Sequence, residues 1–154
     1  MQSPGNIILK RTNNSDPDFK LLISLLDQYL AEQNGDAHAF YAPNNKLDHL
    51  DTAIIAYRDN VPIGCGCFKK FDEDSVEIKR MYVDMAARGK GIATKVLDEL
   101  EKWAKEIGFT YAVLETGVKF DDALGLYKKW GYHVIDNYGA YVGVSNSVCM
   151  QKIL

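Results

Sequence analysis

Apolar residues recur along the chain with two periods, and the switches between them mark out its elements. IILKRT (7–12) has the composition of a first strand. Asp16-Pro17 then supplies a cap and a proline at the first helical position. Phe19, Leu22, Ile23, Leu26, Tyr29 and Leu30 follow at helical spacing until Gly35. Residues 36–50 lose the period, which predicts a loop with a short helical turn. TAIIAYRD (52–59) and VPIGCGCFKKF (61–71), with Asn60 between them, predict a hairpin. Acidic DED (72–74) turns the chain into a further strand, SVEIKRMYV (75–83). Ile92, Val96, Leu97, Leu100, Trp103, Ala104 and Ile107 form the stripe of an amphipathic helix closed by Gly108. Asp98 with Lys102 and Glu101 with Lys105 are placed as i,i+4 pairs on its solvated face. FTYAVLET (109–116) is a strand, and DDALGLYKKW (121–130) a helix capped by Asp121 or Asp122 and stopped by Gly131. YHVIDNY (132–138) and SVCMQKI (147–153) are the last two strands. The order β-α-β-β-β-α-β-α-β-β predicts an α/β chain with a mixed sheet, helices on its faces, and one domain over residues 1–154.

Strand 75–83 carries an irregularity. Val76 and Ile78 are apolar at even positions, Met81 and Val83 at odd ones, so the phase slips across Lys79-Arg80. A one-residue slip turns the core face outward unless a β-bulge absorbs it, and a bulge leaves backbone groups free of the ladder.

Composition narrows the class. With 47% hydrophobic and 25% charged residues the chain has the make-up of a globular domain, and no apolar run reaches the roughly 20 residues of a membrane span. A net charge of −3 without a basic block argues against nucleic acid as partner. Cys65, Cys67 and Cys149 make no disulfide framework, which points to the cytoplasm. Cys65 and Cys67 alternate in a strand without a second ligand pair, so they read as core rather than as a metal site.

The chemistry begins at ARGKGIATKV (86–95), where Arg88, Lys90 and Lys95 surround a helix start that lacks an acidic first turn. Strand, glycine turn and helix N-terminus together hold phosphate on exposed N–H groups. A P-loop is excluded, because Asp84 stands at its first glycine and Gly91 follows Gly89-Lys90. A dinucleotide loop matches at Gly89 and Gly91 and finds an acid at Glu115, but Thr94 replaces its third glycine. Too little chain also follows for the rest of that sheet.

R-G-K-G-I-A (88–93) resembles the [Q/R]-x-x-G-x-[G/A] motif of the GNAT superfamily of N-acetyltransferases, with Arg88, Gly91 and Ala93 at its defining positions. EIKRMYV resembles that family's bulged fourth strand. ALGLYKKWGY (123–132) resembles its A-x-x-LY-x-k-x-GF segment, with Tyr132 in place of the common Phe. The resemblance implies a mostly antiparallel sheet of about seven strands and an enzyme that moves the acetyl group of acetyl-CoA to a primary amine, without a metal. It places the pyrophosphate on Arg88, Gly89, Lys90, Gly91, Ile92 and Ala93, and pantetheine along the backbone of Met81, Tyr82 and Val83.

By the same resemblance, Tyr127 is the acid that protonates the departing thiolate. Glu77, eleven positions before Arg88, is the base that accepts the amine proton, directly or through water. Asp136, Asn137, Tyr138 and Tyr141 have the aromatic and acidic composition to receive a cationic amine, and Tyr138 and Tyr141 are the substrate-binding candidates. His38 and His49 fall in or beside the irregular segment and read as surface residues; His133 reads as a strand residue. No Cys or Ser stands with a base as a nucleophile, which favours direct attack in a ternary complex. A silent acyl-CoA-binding domain on the same scaffold is the alternative, and the intact loop, Tyr127 and Glu77 favour the enzyme. The acceptor, a small molecule or a peptide or protein amine, is left open, and so is the homodimerisation common in the family.

Overall fold

The computed structural model describes residues 6–34, 50–118 and 120–154. The strands are β1 (Ile7–Thr12), β2 (Ala53–Arg58), β3 (Val61–Lys70), β4 (Ser75–Val83), β5 (Tyr111–Gly117), β6 (His133–Ile135) and β7 (Ser147–Ile153). The helices are α1 (Pro17–Asn34), α2 (Ile92–Glu106) and α3 (Asp121–Lys129). The seven strands run β1-β2-β3-β4-β5-β7-β6 in one mixed sheet, as expected. Chain contacts divide into two compact units, one of residues to Phe68 with Arg80–Leu100, the other of Lys69–Lys79 with Glu101–Leu154. No helix among the described residues is long and apolar enough to cross a membrane.

In the first unit, β1 and β3 flank β2 antiparallel, from Ile7 opposite Arg58 and from Ala53 opposite Cys67. Asp59 and Asn60, at φ 52° and 68°, make the two-residue turn of the hairpin. Asp16 caps α1, its Oδ1 accepting from the Asp18 N–H at 2.9 Å, and Pro17 occupies the first position. Phe19, Leu22 and Leu26 of α1 pack on Ala53, Ile55, Cys65, Cys67 and Tyr82. Cys65 and Cys67 are therefore buried core residues.

The alternation G-C-G-C separates the two faces of β3. While Cys65 and Cys67 meet α1, a Cβ built at Gly64 lies 3.0 Å from Ile92, and one at Gly66 lies 3.1 Å from Val96 and 3.0 Å from Leu100. The glycines let α2 press close to the strand, so helices cover both faces here. The same Cβ at Gly66 would run into Met81 Sδ. Gly66→Ala is expected to destabilise the protein by about 1–3 kcal/mol through overpacking, read as a lowered denaturant midpoint with unchanged slope.

In the second unit, β4 pairs parallel with β5 from Ser75 opposite Tyr111 to Glu77 opposite Val113. β5 and β6 each run antiparallel to β7. Both helix stops are Schellman turns on glycine. Phe109 and Gly108 donate to the Ala104 and Lys105 carbonyls, and Tyr132 and Gly131 to those of Tyr127 and Lys128. Three local expectations are corrected. Ile107 lies past the last turn of α2 and is exposed. The cap of α3 is Phe120, because the Leu124 N–H already bonds the Phe120 carbonyl; the Asp121 and Asp122 carboxylates sit in the first turn and face its positive pole. Glu101, read as solvated, is buried.

Candidate active site

The glycine loop belongs to the first unit. β4 ends at Val83, the Asp84 N–H bonds the Ile63 carbonyl at 2.8 Å, and a short 3-10 turn over Met85–Ala87 leads into the exposed stretch 88–91. Gly89 and Gly91 hold φ of 79° and 76°, a region that a side chain makes costly. α2 then begins with Ile92 buried, Ala93 half-buried and no acidic residue in its first turn. The opening N–H groups of α2 face an accessible, cationic loop, which suits an anion with several acceptor oxygens.

Arg88, the first residue of the motif, also has partners within the chain. Its Nε donates to the Val83 carbonyl at 2.9 Å, and its guanidinium lies 5.0 Å from the Tyr29 ring centroid and 5.9 Å from that of Tyr82. Arg88 thus ties the loop to the end of β4, and exposed Lys90 stands with it beside the glycines. Tyr82 and Val83 are buried and Met81 is half-buried.

The phase slip in β4 has a local cause. Arg80 sits at φ 60°, left-handed backbone in mid-strand. Its Nη2 bonds the Asp27 carboxylate, its carbonyl accepts from Cys65 Sγ at 3.5 Å, and its buried Nη1 has no acceptor among the described residues.

The second unit gathers the titratable groups. Glu77 is buried on β4. The Tyr138 hydroxyl donates to Glu77 Oε2 at 2.8 Å, while Lys69 and Lys79 place ammonium groups 3.9 Å from Oε1. Burial, then the Glu77 charge, push the Tyr138 phenol far above its ordinary range, so it stays a donor. The Tyr138 ring packs edge-on against Phe71 and Tyr141 at centroid distances of 4.7 and 5.9 Å. Tyr138 is thus brought to Glu77, and Tyr141 is buried beneath the same loop. Asn137 secures that loop, its Nδ2 donating to the carbonyls of Tyr141, Val144 and Ser147 at 3.0–3.1 Å.

Beside this group stands Glu115 of β5, set apart earlier only as a ribose-type acid. Burial raises its carboxyl above the ordinary range and the Glu77 charge adds to that; the Ser147 hydrogen bond and the Lys79 charge oppose it. Cys149, opposite Glu115 across the β5–β7 pair, has its thiol raised by burial. Tyr127 of α3 is buried, and burial followed by the Glu115 charge push its phenol up to about 12. Its ring meets that of Tyr132 edge-on at 5.8 Å. Glu115 had one sequence signal, an acid near a strand end after the glycine loop, but the groups that act on it come from β4 and β7. His133 is an exposed residue of β6; His38 and His49 lie outside the described residues.

Comparison with known proteins converges on one family. A model described as the acetyltransferase (GNAT) family matches residues 19–132. An IAA acetyltransferase of Azospirillum brasilense is 31% identical over 97% of this chain and 99% of its own. Among solved structures, a Klebsiella pneumoniae protein described as an acyl-CoA N-acyltransferase superposes with a TM-score of 0.77 at 26% identity, covering 97% of each chain. The PaiA N-acetyltransferase of Thermoplasma acidophilum, in complex with coenzyme A, shares the fold at a TM-score of 0.68 and 20% identity, over 97% of this chain and 99% of its own.

Proposed function

Because the chain belongs to the acetyltransferase (GNAT) family, we propose that its 154 residues form one domain that transfers acetyl from acetyl-CoA to a primary amine by direct attack in a ternary complex. The observation that carries this reading is the loop before α2, where two left-handed glycines and an acid-free helix start offer N–H groups to a pyrophosphate. Arg88, Gly89, Lys90, Gly91, Ile92 and Ala93 hold the phosphates. Met81, Tyr82 and Val83 present backbone groups to the pantetheine amides and the thioester carbonyl. The Val83 carbonyl already serves Arg88, so Arg88 supports the cradle by fixing its rim.

In the chemical step Glu77 takes the amine proton, with Tyr138 and two lysines keeping its carboxylate in place. Tyr127 donates to the sulfur as the carbon–sulfur bond breaks. Tyr138 and Tyr141 form the aromatic wall against which a cationic acceptor rests.

The test is release of free thiol from acetyl-CoA over a panel of amines, with IAA included because the Azospirillum relative carries its name. Thiol release that depends on at least one acceptor is the expected result, together with thermal stabilisation by CoA that is lost in Gly91→Val. Stabilisation by CoA without turnover on any acceptor overturns the enzyme in favour of a silent acyl-CoA-binding domain.

A further inference from the structure

Tyr132 departs from the phenylalanine common at its position by one hydroxyl, and the structure gives that hydroxyl a partner. It donates to Glu101 Oε2 at 2.9 Å. Glu101 Oε1 accepts in turn from the Trp130 indole at 3.2 Å and the Lys152 ammonium at 2.7 Å. Lys152 Nζ also lies 4.9 Å from the Trp130 ring centroid and 5.8 Å from that of Tyr132. A buried carboxylate on α2 is thereby neutralised by β7 and tied to both aromatics that follow α3. A surface helix does not need such an arrangement for solubility, and a buried charge is costly unless fully satisfied.

What this network immobilises is Tyr132, which touches Tyr127 twice. The Tyr132 N–H bonds the Tyr127 carbonyl at 2.9 Å, and the two rings meet at an interplanar angle of 66°. With Tyr132 held at its hydroxyl and its backbone, its ring edge fixes the plane of the Tyr127 ring and hence the direction of the Tyr127 O–H. We propose that Glu101 is a positioning residue for Tyr127, acting through the hydroxyl of Tyr132. This rests on the reading of Tyr127 as the proton donor to sulfur.

A double-mutant cycle separates positioning from mere stability. Glu101→Gln keeps an acceptor oxygen but loses the charge that holds Lys152; Tyr132→Phe keeps the ring and loses the anchor. Each is expected to lower kcat about 3–10-fold with KM for acetyl-CoA unchanged, the size of a misoriented rather than absent catalytic group. In the Tyr127→Phe background neither should have a further effect, because there is no O–H left to orient. A loss of the same size in both backgrounds assigns the network to stability alone and overturns the proposal. So does unchanged kcat in both single variants. Should Glu101→Gln fail to fold, Tyr132→Phe, which leaves the carboxylate paired with Lys152 and Trp130, carries the same cycle. If Tyr127→Phe by itself leaves kcat intact, the acid reading fails first, which is a different result from additivity.

Discussion

Tyr127→Phe is expected to reduce kcat about 100-fold, at the lower end of what a general acid contributes, with KM for acetyl-CoA within about 2-fold. The ring is retained, so its edge contact with Tyr132 and the packing of α3 survive, and circular dichroism and thermal midpoint should match the parent. The magnitude follows from the chemistry of the leaving group. A thiolate departs tolerably without help, so the donor matters less than it would for an alkoxide. The phenol's ordinary value is 10.0, and burial with the Glu115 charge pushes it up to about 12. A raised acid stays protonated as pH rises, so Tyr127 holds its proton throughout the neutral and mildly alkaline range. It therefore adds no alkaline limb to the profile until pH approaches 12, and the variant's profile should run parallel to the parent's, displaced downward. A 100-fold loss accompanied by a large rise in KM would mean instead that Tyr127 shapes the cofactor channel.

Where the sequence was legible, a local rule had no competitor. Of the α2 stripe, Ile92, Val96, Leu97, Leu100 and Ala104 are buried, the stops at Gly108 and Gly131 are Schellman turns, and the Asp16-Pro17 start is a cap. The phase slip at Lys79-Arg80 corresponds to left-handed backbone at Arg80, because the strand can restore its apolar face only by spending a residue. The glycine loop was readable for a related reason: φ near 80° at Gly89 and Gly91 and missing acids are properties of the segment itself.

What periodicity did not show has another cause. Glu101 was paired with Lys105 by helical spacing, yet its partners are Trp130, Tyr132 and Lys152, 29 to 51 residues away. That the Arg88 Nε turns back to a carbonyl five residues earlier was likewise not visible in the sequence. Glu115 became part of the site only when β4 and β7 brought Glu77, Lys79 and Ser147 to it. Each is a polar side chain whose role depends on tertiary partners, and hydrophobic periodicity carries no information about those. Family motifs supplied Glu77 and Tyr127 one at a time; that Glu77 is held by Tyr138 came from the fold.

Glu77→Gln tests which of the two carboxylates in this cluster takes the proton. It is expected to lower kcat about 100-fold at neutral pH, within the range of a lost general base. A base works only when ionised, so the parent's activity falls as pH drops and whichever carboxylate takes the proton becomes protonated. Glutamine cannot titrate, and the acidic limb should vanish from the residual activity. Tyr138 retains an acceptor at position 77, so the aromatic wall with Phe71 and Tyr141 stays in place and the loss belongs to the proton rather than the packing. Glu115 is the internal control. Burial raises its carboxyl, so its own limb would lie above the ordinary carboxylate range, and removing the Glu77 charge should lower it somewhat. If the limb persists in Glu77→Gln but shifts to lower pH, and disappears in Glu115→Gln, the proton goes to Glu115 and Glu77 acts on it electrostatically. If it vanishes only in Glu77→Gln, Glu77 is the base and the raised Glu115 serves to limit the negative charge facing it.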